Sequence, residues 1–508
     1  MTRVYRPFSI LIILGLICLR FLVSDDLIIN WDAPILIDGS YRVLNGQIPH
    51  LDFSTPIGPI IFIVGSFGMS IGSASLLGLN LGFIVFSIFL LIFSVLALRK
   101  SLSPNLLTSF AVFLSTLLFT PRMLSARTLD YGYTGIYNLY GYATFFIAVM
   151  ITFGDLQSNH RRSIAIFMKG FWIGALIVVL LFLKNIFGFG LMVMACIYFS
   201  LLTNRKPFVV GVFLGLLLLG MIFVGYFHAD LIPVFRDQYF VMESRLEEHP
   251  FSRKDFVDVF LRKTLLDNLY IFILFFLGPI AMPKLGKLTR ILALSFMVLG
   301  YIFCASIMQW PEHILSSFLA FLMLCYLIQY QKLVDHEWRL GHSNLALLLM
   351  GLSIILIIKF MVINMIGLIS DAPRLLAKAP PTFAIKDSRK ITASAIEPIV
   401  IRNYLKNDHA IFVGQNNLMS YQLLSLPTKN DLLYWQNQVT FTPNLASKNT
   451  FFLPENIFNG ITLIVLNKKT HGDTVEAFQS IYKDYIGANF ELVDSNENIS
   501  IYRRKEHG

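Results

Sequence analysis

Long apolar runs alternate with short polar segments along most of this chain. Runs that meet the roughly 20 residues a bilayer-crossing helix needs fall near 8–23, 75–98, 104–120, 139–154, 164–182 and 186–203, then near 207–228, 268–283, 289–308, 313–331 and 344–368. This pattern predicts about eleven spanning helices. The block Ile57–Ile71 is apolar but short, and Gly58, Pro59, Gly65 and Gly68 interrupt it, so it is expected along the membrane boundary and not across it. From about 369 the pattern changes. Strand-like runs occur at AIFVG, ITLIVL (461–466), FELVD (490–494) and ISIYRR (499–504), with helical periodicity in TVEAFQSIYKDYI between them. That alternation predicts a small α/β domain.

The expected architecture is thus a polytopic α-helical membrane domain over 1–368 and a C-terminal soluble α/β domain over 369–508. One polar stretch breaks the apolar pattern early. In WDAPILIDGSYRVLNGQIPHLDFSTPIGP, Trp31–Pro59, Asp32 stands where a helix starts, and Ile37, Tyr41 and Leu44 recur at helical spacing until Gly46. The acid Asp52 follows in PHLDF, and TPIGP ends the loop, which spans 24–57 before juxtamembrane helices to about 72.

At 56% hydrophobic and 14% charged residues over 508 positions, the chain is too apolar for a soluble protein of this length. The net charge of +10 does not point to nucleic acid, because Lys and Arg come in small groups between apolar runs. Arg3/Arg6, Arg99/Lys100, Arg161/Arg162, Arg205/Lys206, Lys284/Lys287/Arg290 and Lys332/Arg339 all fall on one side of the predicted topology. The positive-inside rule then puts the N-terminus in the cytoplasm of a bacterial inner membrane, with the Asp32 loop, loops 121–138 and 229–267 and the C-terminal domain on the external, periplasmic face. Cys18, Cys196, Cys304 and Cys325 all lie in apolar runs, which argues for buried small hydrophobes and against disulfides or a thiolate metal site. The N-terminal run lacks a small-residue cleavage site and is read as an uncleaved helix.

The first loop resembles that of the GT-C superfamily of lipid-phosphate-dependent glycosyltransferases, which includes protein O-mannosyltransferases and lipid A aminoarabinose transferases. The matching positions are Asp32, Gly46, Pro49, Asp52, Phe53 and Pro59; Ala33 stands where Glu is usual and His50 where Tyr is common. The likeness covers roughly 8–100 in motif detail and the rest of the membrane part in layout. It implies a GT-C-like fold of about eleven transmembrane helices that moves a sugar from a polyprenyl-phosphate donor to a lipid, polysaccharide or protein acceptor. Membrane lipids are the other expected partners; no particular cofactor is assigned, and the paired carboxylates suit a divalent cation.

Asp32 is the expected general base, because a carboxylate must take the proton of the attacking hydroxyl; a helix N-cap is the structural alternative. Asp25 and Asp26 also follow the first helix, at a spacing to Gly46 too long for the family pattern. Asp52 would assist Asp32, orient the acceptor or hold a cation, or else close a turn. For the donor phosphate the expected cations are Lys184, in the short connection LLFLKNIFGF, and Arg122 and Arg127, which break the positive-inside pattern. His50, Tyr137, Asn138 and His313 are the expected substrate-binding residues, the last in the helix junction QWPEH. The mixed charges of 229–267, Asp237 among them, read as a solvated helical face, with a mobile loop over the donor site as the alternative that the GT-C resemblance implies. A transporter or flippase is the rival from another class, predicting ionisable residues near mid-membrane and broken helices; a non-catalytic scaffold presenting the C-terminal domain is a third possibility.

Overall fold

In the computed structural model, the residues described are 2–23, 32–120, 135–154, 163–238, scattered positions between 277 and 299, 312–333, 340–377, 410–413, 431–432, 453–468, 472–497 and 499–505. The order is α1 (Thr2–Val23), α2 (Asp32–Leu44), β1 (Phe53–Ser54), α3 (Pro59–Gly72), α4 (Leu76–Leu98), α5 (Pro104–Phe119), α6 (Ile136–Phe153), α7 (Ser163–Leu201), α8 (Lys206–Tyr226), α9 (Glu312–Leu333) and α10 (Leu340–Ala377). There follow β2 (Ala410–Val413), β3 (Asp431–Leu432), α11 (Pro454–Ile457), β4 (Leu463–Asn467), α12 (Gly472–Asn489), β5 (Phe490–Ser495) and β6 (Ile499–Arg504). Two compact units emerge. One comprises Met1–Ile28, Ile84–Tyr226 and Phe251–Ala379, the other Ile29–Phe83, Phe227–Pro250 and Pro380–Gly508.

The first unit is helical. Among the described residues five helices are long and apolar enough to cross a membrane, Leu76–Leu98, Ile136–Phe153, Ser163–Leu201, Lys206–Tyr226 and the stretch Asn344–Val362, and this makes the chain a multi-pass membrane protein. The spans expected at 268–283 and 289–308 lie largely outside the described residues. The 39-residue α7 is not one straight rod: Lys184 sits at φ −162, ψ 112 inside it. Lys169 Nζ lies 5.6 Å from the Tyr198 ring centroid, 29 residues along the chain, whereas a straight helix would hold those positions about 43 Å apart. The chain therefore doubles back at Lys184, giving two antiparallel halves where two separate spans are expected.

Glycine lets the first half of α7 lie against α8. A Cβ at Gly170, Gly174, Gly211 or Gly215 would stand 2.1–2.3 Å from a carbonyl oxygen of the facing helix, so the two backbones touch with no room for a side chain. The α6 helix is buried along its whole length, with Phe146 stacked on Phe318 of α9 at 4.0 Å. Cys325 is buried, but Cys18 and Cys196 are exposed, contrary to the expected burial of every cysteine. The reason is that a lipid-facing helix surface is as apolar as its packed face, so hydropathy alone does not separate them.

The second unit combines helix and sheet. The φ of +84 at Gly46 ends α2 in a left-handed turn, with Gly46 N–H donating to Val43 O at 3.0 Å and Gln47 N–H to Arg42 O at 3.0 Å. Against α2 packs α3, whose Gly65 leaves space for Ser40, and Gly68 of α3 meets Gly78 and Gly82 of α4. Strands β2, β4, β6 and β5 form one sheet in that order, β2 parallel to β4 and the remaining pairs antiparallel. Their positions match the four expected runs. The helix α12 covers one face through Val475, Phe478, Tyr482 and Ile486, while Leu463, Val465, Ile499 and Ile501 are buried on the other. Burial on both faces explains why ITLIVL is continuously apolar instead of alternating. A second, two-stranded sheet pairs β1 with β3 in parallel, Phe53 opposite Asp431, and so ties the first polar loop to the C-terminal segment.

Candidate functional site

In the helical unit, the reversal at Lys184 brings three of the expected residues together. Lys184 Nζ donates to Asn138 Oδ1 at 2.7 Å and stands 4.9 Å from the Tyr137 ring centroid, a cation–π distance. Asn138 and Tyr137 are buried and Lys184 is half-buried. Gly135, at φ +73, makes the left-handed turn that starts α6 and sets Tyr137 and Asn138 in its first turn. The opposite end of α6 meets Lys169, whose Nζ lies 3.5 Å from Thr152 O. Fourteen helical residues from 138 to 152 separate the two lysines' contacts, about 21 Å of rise. Lys184 therefore belongs to one end of the bundle and not to its middle, and extended backbone there frees N–H groups at the start of the second half-helix.

In the other unit, Asp32 is the first helical residue of α2 and not the residue before it that an N-cap occupies, and that preceding position lies outside the described residues. The side chains of Asp32 and His313 lie outside the described residues, as do Arg122, Arg127, Asp25 and Asp26. Asp52 is half-buried: its Oδ2 accepts the Ile48 N–H at 2.8 Å, and its own N–H donates to Ile48 O at 2.9 Å. Asp52 thus closes the turn that carries His50. His50 is buried with a left-handed φ of 70, and its Nδ1 lies 3.0 Å from Asp237 Oδ2.

That partner was not foreseen. Asp237 falls in the mixed-charge segment expected to be a solvated face, yet it is 1% exposed, and the same Oδ2 accepts the Thr55 N–H at 3.1 Å. The apolar residues just before it carry no consistent burial signal, since Val234 is buried while Ile232 and Phe235 are exposed. Asp38 and Arg42 also went unnoticed as a pair, although their i, i+4 spacing is the signal for one. Both are fully buried, Arg42 Nε donates to Asp38 Oδ2 at 2.9 Å, and Arg42 Nη1 donates to Gln47 Oε1 at 3.3 Å. Among the described residues no group of three His, Cys, Asp or Glu side chains converges as a metal site would require.

Membrane-length helices make the chain a multi-pass membrane protein, with a half-buried cation at a helix reversal in one unit and buried polar pairs in and after α2 in the other. No protein-family model matches the chain, and no curated protein matches it. Among solved structures, the archaeal oligosaccharyltransferase AglB from Archaeoglobus fulgidus, determined with an inhibitory peptide and a dolichol-phosphate, aligns over 99% of this chain and 75% of its own, at 10% identity and a TM-score of 0.33. A superposition that loose assigns neither fold nor activity to this chain.

Proposed function

We propose that this protein is a membrane glycosyltransferase that moves a sugar from a polyprenyl-phosphate donor to a lipid, polysaccharide or protein acceptor on the external face of a bacterial inner membrane. The observation that carries the reading is the Lys184–Asn138–Tyr137 cluster. An ammonium oriented by a buried amide, at the end of apolar helices and at the start of a half-helix, suits a lipid phosphate. The resemblance of the first loop to GT-C enzymes supports the same reaction, with Asp32 as the base that takes the acceptor's proton and Asp52 as the residue that shapes its loop. Arg122 and Arg127 remain further donor-phosphate ligands in this proposal, and His313 a substrate contact.

One observation favours the rival transporter: a helix broken at an ionisable residue is also a transporter feature. The chain reverses at this break instead of continuing, as a helical hairpin does at a membrane surface, and this supports the transferase. The test is binding of a polyprenyl monophosphate to the purified full-length protein in nanodiscs. Loss of a charge-assisted hydrogen bond, worth roughly 1.5–3 kcal/mol, lowers affinity about 10- to 150-fold, so Lys184→Ala should bind correspondingly weakly and Lys184→Arg much less so. Wild-type affinity in Lys184→Ala would remove the donor-site assignment.

A further inference from the structure

We infer that His50 and Asp237 form a hydroxyl-recognition site, in which His50 Nε2 accepts a hydrogen bond from a hydroxyl of a neutral, sugar-like ligand. A carboxylate only accepts hydrogen bonds, so with Asp237 Oδ2 at 3.0 Å from Nδ1 the neutral ring carries its proton on Nδ1 and its lone pair on Nε2. That second nitrogen is buried, and no hydrogen-bond partner for it exists among the described residues. A buried acceptor left without a donor is unfavourable and rare in folded proteins. The carboxylate that orients the ring is itself held in place. Thr55 N–H donates to its Oδ2 at 3.1 Å, and the Arg236 guanidinium lies 3.4 Å from its Oδ1.

The lone pair sets the chemistry of the partner it would take. Phosphate oxygens are acceptors and would face an acceptor, a cation would need ligands that do not gather here, and a hydroxyl supplies the missing donor. The surrounding backbone points the same way. Three of the four non-glycine residues with positive φ among the described residues sit at this corner, His50 at 70, His228 at 51 and Ala229 at 67. Phe227, whose ring centroid is 6.5 Å from that of His50, adjoins the second pair. Conformations of this kind gather at ligand clamps.

The inference takes from the proposed function only the notion of a sugar, and its test is independent of lipid binding. Full-length protein labelled with ¹⁵N-histidine in nanodiscs is titrated with a panel of methyl hexosides and pentosides, and separately with inorganic phosphate. His50→Gln assigns the His50 signals by their loss. We expect the Nδ1–H tautomer, an Nε2 resonance that moves with at least one glycoside, and no movement with phosphate. Asp237→Asn presents an amide N–H to the ring, which should shift the tautomer toward Nε2–H and abolish the glycoside response while the other histidine signals stay in place. The wild-type titration needs no variant: if no histidine ring signal responds to any glycoside, or if His50 is the Nε2–H tautomer, or if phosphate alone moves it, the inference is overturned. Retained polyprenyl monophosphate binding in the same sample would show that only the hydroxyl site, and not the donor reading, had failed.

Discussion

Replacing Arg42 alone should destabilise the protein far more than replacing Arg42 and Asp38 together. Both side chains are fully buried and joined by a 2.9 Å hydrogen-bonded ion pair, and the guanidinium also lies 5.5 Å from the Phe53 ring centroid. Taking one partner away strands a buried charge, which typically costs about 3–5 kcal/mol, whereas exchange of the whole pair for apolar residues of similar volume is often neutral. The difference is large against a total stability of roughly 5–15 kcal/mol. Arg42→Met should therefore lose about 3 kcal/mol or more, and Asp38→Leu with Arg42→Met should recover most of it. The assay is equilibrium unfolding of the purified full chain in detergent, with wild type, both single variants and the double variant forming a cycle. If Arg42→Met unfolds within about 1 kcal/mol of wild type, the pair is solvated and the reasoning from burial fails.

Gly174→Ala should weaken the contact between α7 and α8, because its Cβ would stand 2.1 Å from Val212 O, while Gly220→Ala, with nothing within 4 Å, should be neutral or slightly stabilising; thermal unfolding of the two purified variants separates them. Burial pushes the Tyr482 phenol well above its ordinary value. A raised folded pKa contributes stability in full below the unfolded value of about 10, lost as pH rises beyond it. Wild type should lose stability above about pH 10, and Tyr482→Phe should lose measurably less over the same alkaline range.

Much of this was legible from local pattern. The span of α2 from Asp32 and its end before Gly46 follow from helical spacing and a left-handed stop, both of which are local properties. The four strands of the C-terminal sheet follow from β-branched and aromatic runs, and the reversal at Lys184 follows from two span-length apolar runs that leave only a short turn. What hydropathy does not carry is long-range polar pairing. Asp237 looks like any other charge in a mixed segment until His50 and Thr55, far away in the chain, are placed beside it. The two-residue strands β1 and β3 are too short for a periodicity to register, so the link between the first loop and the C-terminal segment was invisible. The same blindness mixed up exposed Cys18 and Cys196 with buried Cys325, since both environments are apolar.

The central claim is tested most directly by sugar transfer in Asp32→Asn. Asn matches Asp in shape and in its preference for helix starts, so the substitution leaves α2 able to form and removes the proposed base, a loss that typically costs about 10²- to 10⁴-fold in rate. Membranes containing wild type or variant are supplied with a pool of radiolabelled polyprenyl-phosphate sugars, and label reaching lipid, glycan and protein fractions is followed together with release of free polyprenyl phosphate. The account predicts transfer by wild type, and an Asp32→Asn protein that inserts normally and binds polyprenyl monophosphate but transfers little label. Undiminished transfer by Asp32→Asn, or wild-type protein that carries labelled donor across the membrane without cleaving it, would contradict the account.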